Sequence, residues 1–241
     1  MSIQFYSDQR LFSIATANSS YVFGLNDKGT LQHLYWGDPV VAADCAPLLG
    51  SGSHSSFDAA LDREVEEYAG WGGLSYMEPS LKVRWHDGVR DLRLVYDNYR
   101  IDAAAAGKET LTIVLKDESY PLEARLTYSV LPGLDLIERS VVLVNTGDRD
   151  IVLESAQSAA WSLPELPDYR LTHVTGKWSG EFQLRNTILS EGKKVLESRR
   201  GFTDGHANPW FAIDDGHAIE SAGRVWFGAL GRLVRQLEGR C

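Results

Sequence analysis

Three consecutive runs decide the fold: TLTIVLKD (110–117), PLEARLTYSVLPG (121–133) and LDLIERSVVLVNTGDRDIVLESAQSAAW (134–161). Leu111, Ile113 and Leu115 alternate with polar neighbours, as do Leu122, Ala124, Leu126 and Tyr128. A period of two marks strands with one buried face. Asn145-Thr146-Gly147-Asp148 supplies turn chemistry after the third run. The reading is an antiparallel meander. The charges along it, Glu123, Arg125, Glu138 and Arg139, read as the solvated face rather than a paired-carboxylate site.

Upstream, LFSIAT (11–16), SYVFGLN (20–26) and TLQHLYW (30–36) are short apolar runs, with Asp27-Lys28-Gly29 between the last two. They read as strand, turn, strand, with Gly29 where positive φ is required. SLKVRWHDGVRDLRLVYDNYRI (80–101) reads as a hairpin around Asp87-Gly88, with His86 as a turn or surface histidine. Between these lies a long stretch from Asp38 to Ala69, rich in Gly, Ser and Ala. Its length suits a reaching loop. DAALDREVEEYA (58–69) is the best short helical candidate, and YAGWGGL (68–74) is a Gly-rich turn without phosphate-loop spacing. His54, Ser55, Ser56 and Asp58 hold catalytic residue types, but nothing in the sequence orients them as a nucleophile and its base. Many short strands with frequent turns indicate an all-β sandwich.

The chain has 241 residues, 44% hydrophobic and 24% charged, which suits an ordinary globular core. One domain is the default for a β chain of this size. A formal charge of −9 argues against a nucleic-acid partner. The two cysteines, Cys45 and Cys241, give neither a disulfide framework nor a metal-ligand spacing. No cofactor or metal is expected. The start MSIQFYSDQRLFSIATANSS has no basic n-region or continuous apolar run, and no later stretch is long enough to span a bilayer. The expectation is a soluble protein of the reducing cytoplasm, without a membrane partner.

From Leu163 to Phe211 the chain concentrates aromatic, amide and charged groups: Trp178 after Gly176-Lys177, Glu197-Ser198-Arg199-Arg200-Gly201, and His206-Ala207-Asn208-Pro209-Trp210-Phe211. Aromatic faces beside fixed donors and acceptors suit a sugar, whose C–H face stacks while its hydroxyls hydrogen-bond. The same mixture builds subunit contacts.

Taken in order, Tyr35-Trp36-Gly37, Glu67-Tyr68-x-Gly70-Trp71-Gly72, Glu78-Pro79-Ser80-Leu81, Leu136-Ile137-x-Arg139-Ser140, Asn145-Thr146-Gly147, Gly176-Lys177-Trp178, Glu197 to Gly201 and His206-x-Asn208-Pro209-Trp210-Phe211 form one series. It resembles the N-terminal domain of glycoside hydrolase family 36 α-galactosidases, from about residue 10 to about residue 231. The resemblance implies a β-supersandwich, a two-sheet antiparallel sandwich of galactose-mutarotase type over 1–231, placed before a (β/α)8 barrel in a longer protein. Residues 232–241 form a tail outside the pattern, read as a frameshift or premature end.

In that family the two catalytic aspartates lie in K-W-D and S-D-N motifs of the barrel, and retaining hydrolysis needs both carboxyl groups. Neither motif occurs in this chain, where Ser179 follows Lys177-Trp178. No catalytic residue is therefore assigned. The resemblance implies a homo-oligomer and an α-galactoside substrate such as melibiose or raffinose for the full-length enzyme, with this domain serving assembly and pocket closure. Trp178 and, in the reaching loop, His54 are the candidate sugar contacts. For Trp178 the competing reading is a tryptophan packed between sheets. Arg199, Arg200, His206, Asn208 and Trp210 are assigned to an interface or a structural turn. One departure is Leu74-Ser75-Tyr76-Met77 before Glu78-Pro79, where many relatives carry Gly-Asp-Phe-Arg. Two alternatives stand beside this reading. One is a free-standing carbohydrate-binding module. The other is a sugar epimerase pairing His173 or His206 with Glu181 or Glu197 as acid and base.

Overall fold

The computed structural model describes residues 2–50, 65–72, 78–103, 107–131, 133–198 and 206–231, and the backbone of 237 and 238. The fold is all-β, built of antiparallel sheets, with one 3-10 helix at Ala42–Leu48 among the described residues. The chain divides into two compact units, Met1–Leu163 with Gln236–Cys241, and Pro164–Arg235.

The first unit is a sandwich. One sheet runs β1 (Ile3–Tyr6), β2 (Leu11–Ala15), β3 (Ser20–Leu25), β4 (Leu31–Gly37) in chain order. Gly29 closes the β3–β4 turn at φ 76°, the left-handed conformation in which a Cβ is disfavoured. The other sheet carries the expected meander: β6 (Leu94–Ala103), β7 (Glu109–Asp117), β8 (Leu122–Val130) and β9 (Ile137–Asn145), all antiparallel neighbours. A short β15 (Leu237–Glu238) pairs with β9 in parallel.

The period of two explains the core. Leu111, Ile113 and Leu115 of β7 sit opposite Tyr128, Leu126 and Ala124 of β8, so one row of side chains faces inward. Against it stand Phe12, Ile14, Tyr21 and Phe23 from the first sheet. Phe23 stacks on Tyr128 with ring centroids 5.2 Å apart.

Two expectations fail here. The stretch around Asp87-Gly88 turns, with Trp85 N–H donating to Val89 O at 2.9 Å, but does not continue as a hairpin. β5 (Leu81–Arg84) pairs instead with β10 (Val152–Ala156), and β6 pairs with β7. The reason lies just past the turn: Leu92 N–H donates to Trp71 O at 2.9 Å, and Arg90 donates to Glu154 of β10 at 3.0 Å. These partners draw the two arms apart. Secondly, Arg139 does not face solvent; its side chain is 4% exposed. Glu138, its neighbour, does face solvent. The helical candidate falls mostly outside the described residues, and its described end, Val65 to Ala69, is not helical but bends at Glu67 and Tyr68.

That end crosses the first unit as a strap. His33 N–H donates to Val65 O, Glu67 N–H to Leu31 O and Trp71 N–H to Leu81 O, at 2.8–2.9 Å. Gly70 is required by close approach: a Cβ there would stand 2.4 Å from the Leu92 carbonyl oxygen.

The second unit is a four-stranded antiparallel sheet ordered β12 (Gly180–Leu189), β11 (Tyr169–Lys177), β13 (Ala207–Asp214), β14 (Val225–Ala229). Arg170 of β11 braces it, donating to Asp214 of β13 at 3.1 Å and to Ala218 O at 2.8 Å.

Candidate functional site

Trp178 is at the tip of the β11–β12 hairpin, between Lys177 and Gly180, which are register partners. Gly176 lets the two strands approach, since a Cβ there would lie 2.6 Å from Glu181 Cα. Ser179 takes φ 62°, and its N–H donates to Glu181 Oε1 at 3.1 Å. Trp178 is 88% exposed, so it does not pack between sheets. A large aromatic held outward on a paired hairpin is a preformed stacking face.

The other assigned residues separate. His54, Arg199 and Arg200 lie outside the described residues, as do Ser55, Ser56, Asp58 and residues 74–77. His206 is exposed, and its carbonyl accepts from Thr175 Oγ1 at 2.9 Å. Asn208 Oδ1 accepts from Trp210 N–H at 3.0 Å, a side-chain turn that sets the start of β13. Trp210 is half-buried. His173 is held below the usual imidazole range by partial burial and then by Lys194 and Arg185. The charges that act on it are cations, which gives the acid–base pairing with Glu181 or Glu197 no support.

Sequence reasoning missed a second constellation, inside the sandwich. Glu67, fully buried, is met from both sheets. Tyr21 of β3 and Tyr128 of β8 donate their hydroxyls to Oε1 at 2.7 and 2.8 Å. Arg139 of β9 reaches Oε1 at 2.7 Å, and His33 Nδ1 of β4 lies 3.4 Å from Oε2. Arg139 also donates to Tyr21 Oη at 3.1 Å and to Ala160 O at 2.8 Å, and its guanidinium lies 4.8 Å from the Tyr128 ring centroid.

Burial would push the Glu67 carboxyl up, but Arg139, His33 and Tyr21 together outweigh it and hold it below the usual range. Burial raises Tyr21 and Tyr128 well above the ordinary phenol range despite Arg139. Arg139 is raised further because Glu67 and the two phenols outweigh its burial. The cluster is thus a carboxylate, a guanidinium and two neutral phenols, with the charges cancelled inside the core. It has the features of a structural centre. Among the described residues no group of His, Cys, Asp and Glu could hold a metal ion, and no helix is long and apolar enough to cross a membrane.

An all-β fold of antiparallel sheets, with no barrel among the described residues, defines the class. The chain belongs to glycosyl hydrolase family 36, as its N-terminal domain, whose family model matches residues 29–231. The α-galactosidase AgaA of Geobacillus stearothermophilus is 30% identical over 99% of this chain and 36% of its own length. Alpha-galactosidase 1 of Pediococcus pentosaceus is 28% identical over 90% of this chain and 33% of its own. Among solved structures, the family 36 α-galactosidase AgaB of Geobacillus stearothermophilus superposes with a TM-score of 0.83 at 28% identity, covering 94% of this chain and 34% of that one. An AgaA variant solved with raffinose gives 0.80 at 28% identity, covering 90% and 33%. The chain therefore spans about a third of the length of these relatives, and the matched portion is the family's N-terminal domain.

Proposed function

We propose that this chain serves an α-galactosidase as its non-catalytic N-terminal domain, shaping and closing the substrate pocket in an oligomer rather than cleaving the glycosidic bond. The observation that carries this reading is Trp178, 88% exposed at the tip of a braced hairpin. Such a ring has little to do within its own unit and is suited to stack on a sugar held by another part of the assembly. Membership of the family, and relatives named as α-galactosidases, one of them solved with raffinose, supply the substrate class.

The assembly role rests on a second feature. Cross-strand register puts Ile188, Arg170, Asp214 and Val225 in one row, and Asn186, Thr172, Ala212 and Phe227 in the next. Ile188, Val225 and Phe227 on that face are exposed, as is Leu184, apolar side chains among polar ones that are suited to burial against a partner. His54, Arg199 and Arg200 remain candidates for the pocket rim and the interface. A cytoplasmic location fits the sparse cysteine usage, Cys45 and Cys241 giving no disulfide framework.

The test is calorimetric titration of melibiose and raffinose into the 241-residue chain, together with a chromogenic α-galactoside assay. The expected result is neither binding heat nor turnover. Saturable binding by the chain alone would favour a free-standing carbohydrate-binding module.

A further inference from the structure

The Glu67 cluster has a property separate from any sugar chemistry. Its carboxylate belongs to neither sheet of the sandwich. It is carried by the strap at residues 65–71, which is fixed on one side to β4 and on the other to β5 and the Leu92 turn. Tyr68, next in the strap, turns its hydroxyl the other way and donates to Gln157 O at 2.9 Å. The strap's main-chain bonds, to Leu31 and His33, to Ser80 and Leu81, and to Leu92, form no continuous ladder; they include two isolated bridges, Gln32 with Glu66 and Gly70 with Leu81. Its deepest anchor is the Glu67 side chain.

The titratable groups that face this carboxylate are Tyr21 from β3, His33 from β4, Tyr128 from β8 and Arg139 from β9. Three of these are single hydrogen-bond donors or a nearby imidazole. The fourth is a buried cation, and Glu67 is its counter-charge among the described residues. Taking up a proton from solvent would leave the guanidinium uncompensated inside the core, where an unpaired charge is far less stable than either the pair or no charge at all. Moving the strap outward admits water to Arg139 and relieves this. The β7, β8 and β9 ladders do not depend on the strap for their own hydrogen bonds.

We infer that Glu67 is an acid-sensitive latch: its carboxylate holds residues 65–71 against the sandwich, and protonating or removing that charge frees the strap while the strands around it stay paired.

Native-state amide hydrogen exchange on the full chain, corrected for the intrinsic pH dependence, tests the latch. The amides of Glu67 and Trp71, which donate to Leu31 O and Leu81 O, are compared with those of β7 and β8 across a pH series and a denaturant series. The strap amides are expected to open in a separate, denaturant-insensitive step, the mark of sub-global opening. Their protection should fall by about tenfold or more as pH drops below the ordinary carboxylate range, while β7 and β8 remain better protected. Glu67→Gln should produce the same loss at neutral pH. A strap that opens only together with β7 and β8, at every pH, overturns the latch. So does a separate strap opening indifferent to both acid and Glu67→Gln. If Glu67→Gln does not fold, the wild-type series alone decides between these outcomes.

Discussion

Glu67 and Arg139 meet at 2.7 Å in the middle of the sandwich, one carried by an irregular strap and the other by a regular strand. The pair is hydrogen-bonded on both sides by phenols, which satisfies groups that would otherwise be stranded in the core.

Arg139→Met is therefore expected to destabilise the chain by about 3–5 kcal/mol, the cost of leaving a buried charge alone. Replacing both partners, Glu67→Leu with Arg139→Met, should cost less than the single change, since the uncompensated charge disappears. Urea unfolding at neutral pH measures both.

Tyr21 and Tyr128 set the alkaline limit. Their folded pKa values lie above those of the unfolded chain, so the stability they contribute is whole below about pH 10 and is lost as pH rises beyond it. Spectrophotometric titration should show these two, with the likewise buried Tyr68, ionising only with unfolding, out of ten tyrosines in all. Ionisation of every tyrosine in a still-folded chain would contradict the geometry.

Glu67 sets the opposite limit. Its folded pKa is depressed, so its contribution is present above the unfolded carboxyl value near 4.3 and is lost as pH falls through the folded value. Urea midpoints measured from neutral to acid should decline there, and Glu67→Gln should flatten the part of the decline due to this group.

Much of this fold is legible in the sequence because the meander alternates cleanly. Leu111, Ile113 and Leu115, then Leu122 to Tyr128, face inward as their period requires. The inward Arg139 was also within reach. It shares phase with Ile137, Val141 and Leu143, and it stands opposite Tyr128, so only Glu138 of that pair could point to solvent. The charge of Arg139 argues for solvent and its phase for the core, and phase prevails. Glu67 gives no such signal, because the strap has no periodicity and its partners are set by tertiary packing alone. The divergence of β5 from β6 was hidden for the same reason: the turn at Asp87-Gly88 is local, whereas the claims of Trp71 and Glu154 on the following residues are not.

Trp178→Ala should leave stability within about 0.5 kcal/mol of the parent, as expected of an exposed side chain. It should also remove the most acrylamide-quenchable fluorescence among the seven tryptophans. A large loss of stability would mean the ring is packed.

Gly70→Ala is the sharpest test of the strap's path. The added Cβ meets the Leu92 carbonyl oxygen at 2.4 Å, a backbone atom that cannot rotate away, so destabilisation of about 1–3 kcal/mol is expected in thermal unfolding.

The cancellation of charge between Glu67 and Arg139 also bears on descent. Losing either side chain alone leaves its partner stranded, whereas losing both together is tolerated. Among descendants of this chain the two positions should be inherited as a unit, kept as a pair or abandoned as a pair, although the segments that carry them are unrelated in conformation.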